Sequence, residues 1–397
     1  MTKNDEYFFD VDFFQRCKHH QMAPGDVFFL KKRKTDDRLI AVLSDGLGSG
    51  IKANVLATLT ATMASNFIYN NYDIKKTAQL IMSTLPVCKV RKISYSTMSI
   101  VDIQSNGKVK IAEYDNPEFL LFKNDRPVNV KKEKEEINVN NEKKLFYFCE
   151  FNFEPGDRII IYSDGVVQSG IGKPASPLGW GEDSAQEYIR SILQAAPNIS
   201  SRELARQVVF KAVQNDDNIP RDDITCAVVY FRKPRRLLLI SGPPFDKTKD
   251  SYIAEQIKNY PGKKIICGGT TANIIARELK REITVNLNNM DYSLPPPSTM
   301  EGVDLVTEGI MTLAKVAELL EKHVNFEVRG ATTNPALEII DLLLQSDIIQ
   351  FIVGTRINEF HQNPNMPVEL GIRRNVIKKI AKLLEEKYFK KTKIDFV

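Results

Sequence analysis

A short basic run containing a proline, Arg232-Lys233-Pro234-Arg235-Arg236, separates two stretches whose apolar residues follow different rhythms. Before it, apolar strands are separated by turns and interrupted by few helical stretches. After it, strands and helices alternate regularly. A basic segment with a proline suits an exposed linker, and 397 residues exceed what one core ordinarily holds. Two domains are therefore expected, 1–232 and 237–397.

In the first part, strands are expected at 26–30, 38–44, 96–103, 109–114, 119–122, 145–151, 158–163 and 224–231. Helices are expected at 51–69, 74–84, 184–193 and 201–214. On the first of these, Val55, Leu59, Met63 and Phe67 recur every four residues on one face. The charge run Lys131 to Glu136 reads as a solvated hairpin loop. Many strands with few helices imply stacked sheets flanked by helices, an α+β layered domain. The second part offers strands at 237–240, 264–267, 283–287, 303–306 and 348–353. Helices are expected at 247–258, 272–280, 310–323 and 335–345, with a long terminal helix after Pro367. Such alternation implies an α/β domain with a mainly parallel sheet and helices on both faces.

Composition excludes more than it selects. Fifty-five basic against 50 acidic residues give a net charge of +5, spread along the chain with no arginine-rich tract, so charge does not suggest nucleic-acid binding. The five cysteines, Cys17, Cys88, Cys149, Cys226 and Cys267, are far apart and match no zinc or redox spacing. Free thiols in a reducing cytoplasm are expected. Residues 1–12 are acidic and aromatic, and no apolar run is long enough to span a bilayer, so neither a signal peptide nor a membrane segment is expected. With four histidines, His19, His20, His323 and His361, a metal site must rest on carboxylates.

Four places in the first part put an aspartate at a strand edge: Pro24-Gly25-Asp26, Ser44-Asp45-Gly46, Ser163-Asp164-Gly165 and Arg221-Asp222-Asp223. Each taken singly fits a tight turn, for which Asp-Gly is a common signal. Brought together, the carboxylates would repel one another unless a divalent cation compensated them. Oxygen-only ligands favour Mg²⁺ or Mn²⁺ over zinc, and two such ions suit hydrolysis at phosphorus. The stretch Leu43 to Gly50 resists the turn reading, because it leads into a helix and carries three glycines that allow close backbone approach.

Ser44-Asp45-Gly46-Leu47-Gly48-Ser49-Gly50, Tyr162-Ser163-Asp164-Gly165-Val166 and Arg221-Asp222-Asp223-Ile224-Thr225 together resemble the sporulation stage II protein E (SpoIIE) branch of the metal-dependent PPM protein serine/threonine phosphatases. Ser96-Thr97-Met98, Asn116-Pro117 and Glu154-Pro155-Gly156-Asp157-Arg158 follow in the family's order. The resemblance covers about residues 10–232 and not the second domain. It implies a β-sandwich between helical layers holding two Mn²⁺ or Mg²⁺ ions. It also implies metal ligands at Asp26, Asp45, the Gly46 carbonyl, Asp164 and Asp222, with Asp223 in support. The implied reaction is hydrolysis of phosphoserine or phosphothreonine on a bacterial regulatory protein, such as an anti-sigma-factor antagonist.

The sequence departs from the family at Pro24, where serine is usual. The phosphate-holding arginine of the wider family has Arg16 as its nearest candidate, and His19 and His20 read as loop residues more readily than as proton shuttles. Members of the branch commonly carry an N-terminal sensor domain; here regulation is expected from the second domain, a partner or assembly, with a homodimer open. A phosphatase fold serving as an inactive signalling scaffold, and hydrolysis of a small phosphate ester, are the rival readings. In the second domain, Cys267-Gly268-Gly269-Thr270-Thr271-Ala272 fits either a threonine-capped turn or a cradle for a small anion. Asp304, Glu308 and Gly354-Thr355-Arg356 are expected at the same sheet edge. Trp180 reads as a loop anchor, and Lys378, Lys379, Lys382, Lys387 and Lys390 to Lys393 as a solvated basic face.

Overall fold

The computed structural model describes residues 7–33, 35–48, 50–85, 96–139, 142–174, 176–285, 294–322, 334–356 and 366–397. Ser49, Cys88, His323 and His361 lie outside them. The contacts divide the chain into two compact units, Met1–Lys233 and Pro234–Val397. Among the described residues no helix is long and apolar enough to cross a membrane.

The first unit runs β1 (Phe8–Arg16), β2 (Asp26–Arg33), β3 (Arg38–Asp45), α1 (Ile51–Tyr69), α2 (Ile74–Thr84), β4 (Met98–Ile103), β5 (Lys108–Tyr114), β6 (Leu120–Lys123), β7 (Arg126–Val128), β8 (Glu133–Val139), β9 (Glu142–Asn152), β10 (Arg158–Tyr162), α3 (Asp164–Val167), α4 (Glu182–Ala195), α5 (Ser201–Asn215) and β11 (Ile224–Arg232). Two antiparallel sheets form, ordered β1-β11-β10-β6-β7 and β2-β3-β4-β5-β9-β8. Alternation along the strands decides the layering, because successive side chains point to opposite faces. On β3, Leu39, Ala41 and Leu43 join Ile159, Ile161, Ala227 and Val229 of the other sheet in a core between the sheets. Ile40 and Val42 face α1 and α2 instead. On the far side, Ile160, Tyr162, Cys226 and Val228 pack under α4 and α5. The unit is a β-sandwich covered by helices on both outer faces.

Two first-unit expectations need correction, and one strand lies outside them. Glu133 to Glu136 belong to strand β8, paired with β9, and not to a hairpin loop; the ladder supplies what the charged sequence lacks. Strand β1 was not anticipated. It pairs with β11 along its length, and its inward Asp10 is held by Arg232 at 2.9 Å, which offsets the cost of burying a carboxylate. Helix α1 buries Ala53, Ala57, Ala61 and Ala64, while Val55 and Leu59 are exposed. Small residues let the helix lie close on the sheet, so the large apolar stripe is not the packed face.

The second unit runs β12 (Arg236–Ser241), α6 (Asp250–Asn259), β13 (Lys263–Cys267), α7 (Gly269–Leu279), β14 (Ile283–Val285), β15 (Ser298–Met300), β16 (Val303–Thr307), α8 (Ile310–Glu321), α9 (Pro335–Gln345), β17 (Ile348–Val353), α10 (Met366–Lys387) and β18 (Lys391–Phe396). Its sheet is mixed, in the order β14-β15-β16-β13-β12-β17-β18. Strands β16, β13, β12, β17 and β18 run parallel to one another, while β15 pairs antiparallel with both β16 and β14 at one edge. Helices α6 and α7 pack on one face and α8, α9 and α10 on the other. The terminal helix stops at Lys387, and Lys391 and Lys393 lie on strand β18, so the expected basic helical face ends earlier. Asp304 is likewise corrected. It binds Lys263 Nζ and the Lys264 amide at the start of β13, the edge opposite to Glu308 and Gly354.

Candidate active site

The ends of four strands from both sheets carry the carboxylates. Asp26 and Asp45 are directly opposed in the antiparallel β2–β3 ladder. Past Asp45 the chain turns into α1, and a Cβ at Gly46 would lie 2.0 Å from the carbonyl oxygen of Ala53 on that helix. Only glycine lets the strand end and the helix approach this closely. In the other sheet, Asp164 opens α3 directly after β10, while Asp222 and Asp223 precede β11, the neighbour of β10. A Cβ at Gly165 would meet the Asp223 carbonyl oxygen at 2.1 Å. Both Asp-Gly corners lead into helices, and neither is a hairpin turn.

The electrostatics follow from this crowding. Burial, then Asp26, Asp164 and Asp222, push the Asp45 carboxyl well above the usual range. Asp26 is 1% exposed, and burial raises it too, against hydrogen bonding by the Ser163 and Thr225 hydroxyls; Asp223 and Asp164 add to the rise. Asp164 is raised by burial and then by Asp222. Among the described residues, no three His, Cys, Asp or Glu side chains are already placed to hold a metal ion together. What the fold assembles is a set of mutually destabilising acids, and that donor set fits a hard divalent cation.

Polar neighbours hold the acids in place. Thr225 Oγ1 donates to Asp26 Oδ2 at 2.6 Å and is itself bound by Gln15 Nε2 at 2.8 Å. Gln168 Nε2 donates to Asp164 Oδ2 at 2.9 Å. The Asp45 amide donates to Thr97 Oγ1, which binds Asn116 Oδ1, and Asn116 Nδ2 reaches Ser99 Oγ. Ser96 pairs with Gly46 as an isolated bridge. The sequence landmarks Ser96-Thr97 and Asn116 therefore fix the backbone of the Asp45 corner.

Asp223 differs from the other acids. Its two oxygens accept the Gly25 amide at 2.7 Å and the Lys18 amide at 2.9 Å, so it shapes the turn before Asp26. Lys18 Nζ lies 3.7 Å from Asp222 Oδ1. Sequence reasoning passed over Lys18, Gln15 and Thr225. Their partners are about two hundred residues away in the chain, and only Thr225 stood inside a recognised motif. Arg16, the nominal phosphate holder, stacks on Phe14 and Phe210 instead. His19 and His20 are exposed. Trp180 packs edge-on to Tyr188 and against the α4–α5 core, as an anchor does.

Beside Asp45 and Asp164 opens a groove of about 820 Å³, lined also by Asp115, Asn116, Lys143, Lys144, Tyr147 and Glu182. Both signs of charge lie along its walls.

Comparison with known proteins gives the first unit a family. Residues 35–232 match the family model of stage II sporulation protein E. No curated protein matches the sequence. Among solved structures, the chain is similar to the SpoIIE phosphatase domain of Bacillus subtilis, at 16% identity, TM-score 0.44, over 57% of this chain and 94% of that one. It is also similar to the RsbU and RsbW domains of a Mycobacterium tuberculosis protein, at 17% identity, TM-score 0.46, over 64% and 69%. A serine/threonine phosphatase from S. agalactiae matches at 12% identity, TM-score 0.42, over 56% and 99%.

Proposed function

Because its first domain belongs to the stage II sporulation protein E family, we propose that the chain is a protein serine/threonine phosphatase whose two-ion centre is built from Asp26, Asp45, Asp164 and Asp222. The observation that carries the reading is the gathering of these acids at the ends of strands in both sheets, with the carboxyls of Asp26, Asp45 and Asp164 raised by burial and by neighbouring acids. A carboxylate cluster of this kind costs stability unless it binds cations, so selection for structure alone would not assemble it.

Asp26, Asp45, Asp164 and Asp222 would hold two Mn²⁺ or Mg²⁺ ions, with the Gly46 carbonyl in support. Such ions supply the positive charge and the activated water that phosphomonoester hydrolysis needs. The chain's own residues do the rest. Thr225 and Gln15 fix the orientation of Asp26, and Gln168 fixes Asp164. The Thr97–Asn116 clamp holds the Asp45 corner rigid, so the acids do not spread apart under their repulsion. Lys18, beside Asp222, is placed to meet a phosphate oxygen. The groove receives the segment flanking a phosphoserine or phosphothreonine. A bacterial regulatory phosphoprotein is the substrate class this implies.

The test is Mn²⁺-dependent phosphate release from a phosphoserine peptide by wild type, Asp45→Ala and Asp164→Asn. Turnover in wild type that both variants lose supports the reading. Equal turnover in all three, or a wild type that binds no divalent cation, overturns it.

A further inference from the structure

The second domain holds polar groups that the phosphatase reading does not use. Helices α7 and α8 start at the carboxyl ends of the neighbouring parallel strands β13 and β16, from opposite faces of the sheet. Their N-terminal residues meet. The Gly268 amide donates to the Thr307 carbonyl, and a Cβ on Gly309 would lie 3.6 Å from Gly268 Cα. Both helices are entered through glycine, Gly268 and Gly309, and neither first turn receives a side-chain cap. Each such terminus carries about half a positive charge.

A second, independent feature marks the same place. The third helical residue in each case is a threonine, Thr271 (1% exposed) and Thr312 (0%), and both hydroxyls are buried without a hydrogen-bond partner. A buried hydroxyl left unpaired is costly, which is why native structures seldom keep one without a reason. Thr271 Oγ1 faces the empty cap position, 3.5 Å from where a Gly268 Cβ would stand. The last residue of β12, Ser241, has a third such hydroxyl at the same sheet edge.

The room lies there as well. In an open parallel sheet, ligands usually gather where strand order reverses, here between β12 and β17. That crevice is closed by backbone, since a Cβ on Gly354 would sit 2.1 Å from the Pro243 carbonyl oxygen. At Gly268, Gly269 and Gly309 a Cβ would meet nothing closer than 3.5 Å among the described residues. Among the described residues, the exposed Glu308 approaches the opening; its Oε2 accepts the Gly309 amide at 3.1 Å and its Oε1 lies 3.7 Å from the Cβ position of Gly269.

We infer that the paired N-termini of α7 and α8 form a binding site for a phosphoryl group. Donors reach the opening from two helices on opposite faces of the sheet, which suits a tetrahedral dianion better than a planar carboxylate. Glu308 occupies part of that position in the free protein and swings out when phosphate enters. The inference stands apart from the activity of the first domain.

Calorimetric titration of the full, metal-stripped chain carrying Asp45→Ala, which keeps phosphate from lodging in the first domain, tests it. Inorganic phosphate and adenosine 5′-monophosphate serve as separate probes. Glu308→Gln, an exposed change that leaves the core untouched, is expected to tighten binding about three- to tenfold by removing a competing charge. Thr271→Val is expected to weaken it about tenfold through loss of a buried donor, with a thermal melt confirming that the variant folds. Nucleotide binding much tighter than phosphate makes the phosphoryl group one end of a larger ligand; equal affinity makes free phosphate the ligand. No binding of either probe by wild type and Glu308→Gln, or binding that neither Glu308→Gln nor Thr271→Val alters, overturns the site.

Discussion

Asp26 and Asp45 stand directly opposite each other in the β2–β3 ladder, a like-charge pair at the end of two well-packed strands. Cross-strand neighbours of the same sign destabilise a sheet, and burial magnifies the effect here. Without a cation, holding Asp45 uncharged or tolerating the repulsion costs stability. Asp45→Asn is therefore expected to stabilise the metal-free chain by about 1–3 kcal/mol and to abolish metal-dependent turnover. Thermal melts with and without Mn²⁺ check this: the ion should raise the wild-type midpoint and leave the variant's unchanged. A variant less stable than metal-free wild type would contradict the account.

Thr225 controls Asp26 through one short hydrogen bond and is itself anchored by Gln15. Removing the hydroxyl with Thr225→Val keeps the shape and frees the carboxylate. Metal affinity is expected to fall about 10–100-fold, the usual effect of losing a group that orients a ligand. Thr225→Ser should restore most of it. A loss that serine fails to rescue would point to packing in the strand and away from orientation.

Much of this site was legible because its acids sit in short local motifs, Ser44-Asp45-Gly46 and Ser163-Asp164-Gly165, whose glycines are fixed by close approach of backbone. What holds the acids was not legible, since Thr225, Gln15 and Lys18 act across the sandwich on residues far away in sequence. Core strands such as β3 and β10 announced themselves by continuous apolar runs. Strand β8 did not, because an edge strand rich in Glu and Lys takes its conformation from the ladder with β9. Strand β1 alternates apolar and acidic residues, and the compensation of Asp10 by Arg232 appears only in three dimensions. In the second domain, the Gly268 turn was visible in sequence, but its juxtaposition with Gly309 was not.

Gly46 sets how near Asp45 lies to the helix that follows it, and Gly165 sets how near Asp164 lies to the chain that leads into β11. A methyl group at either would collide with backbone far inside van der Waals contact, 2.0 Å from the Ala53 oxygen and 2.1 Å from that of Asp223. Gly46→Ala and Gly165→Ala are each expected to destabilise the first domain by about 1–3 kcal/mol or more through forced backbone shifts. Both should lose activity beyond what the stability change explains, because the shift moves Asp45 or Asp164. Denaturant titration together with turnover at low temperature separates the two effects. Full activity in a destabilised Gly46→Ala would show that the corner tolerates movement.

Helix α1 offers the sharpest contrast between pattern and packing. Its most regular apolar stripe includes Val55 and Leu59, yet these are 58% and 44% exposed, whereas Ala57 and Ala61 on another face are fully buried. The sheet accepts the helix at a distance that only small side chains allow. Leu59→Ala is expected to change stability by no more than about 0.5 kcal/mol, as surface substitutions do. Ala61→Leu, which adds bulk where Ile40 and Val42 press against the helix, is expected to cost about 1–3 kcal/mol through overpacking. Urea titrations of the two variants decide between the faces. If Leu59→Ala costs more than Ala61→Leu, the large stripe is the buried one, and the β3–α1 contact that positions Asp45 must be redrawn.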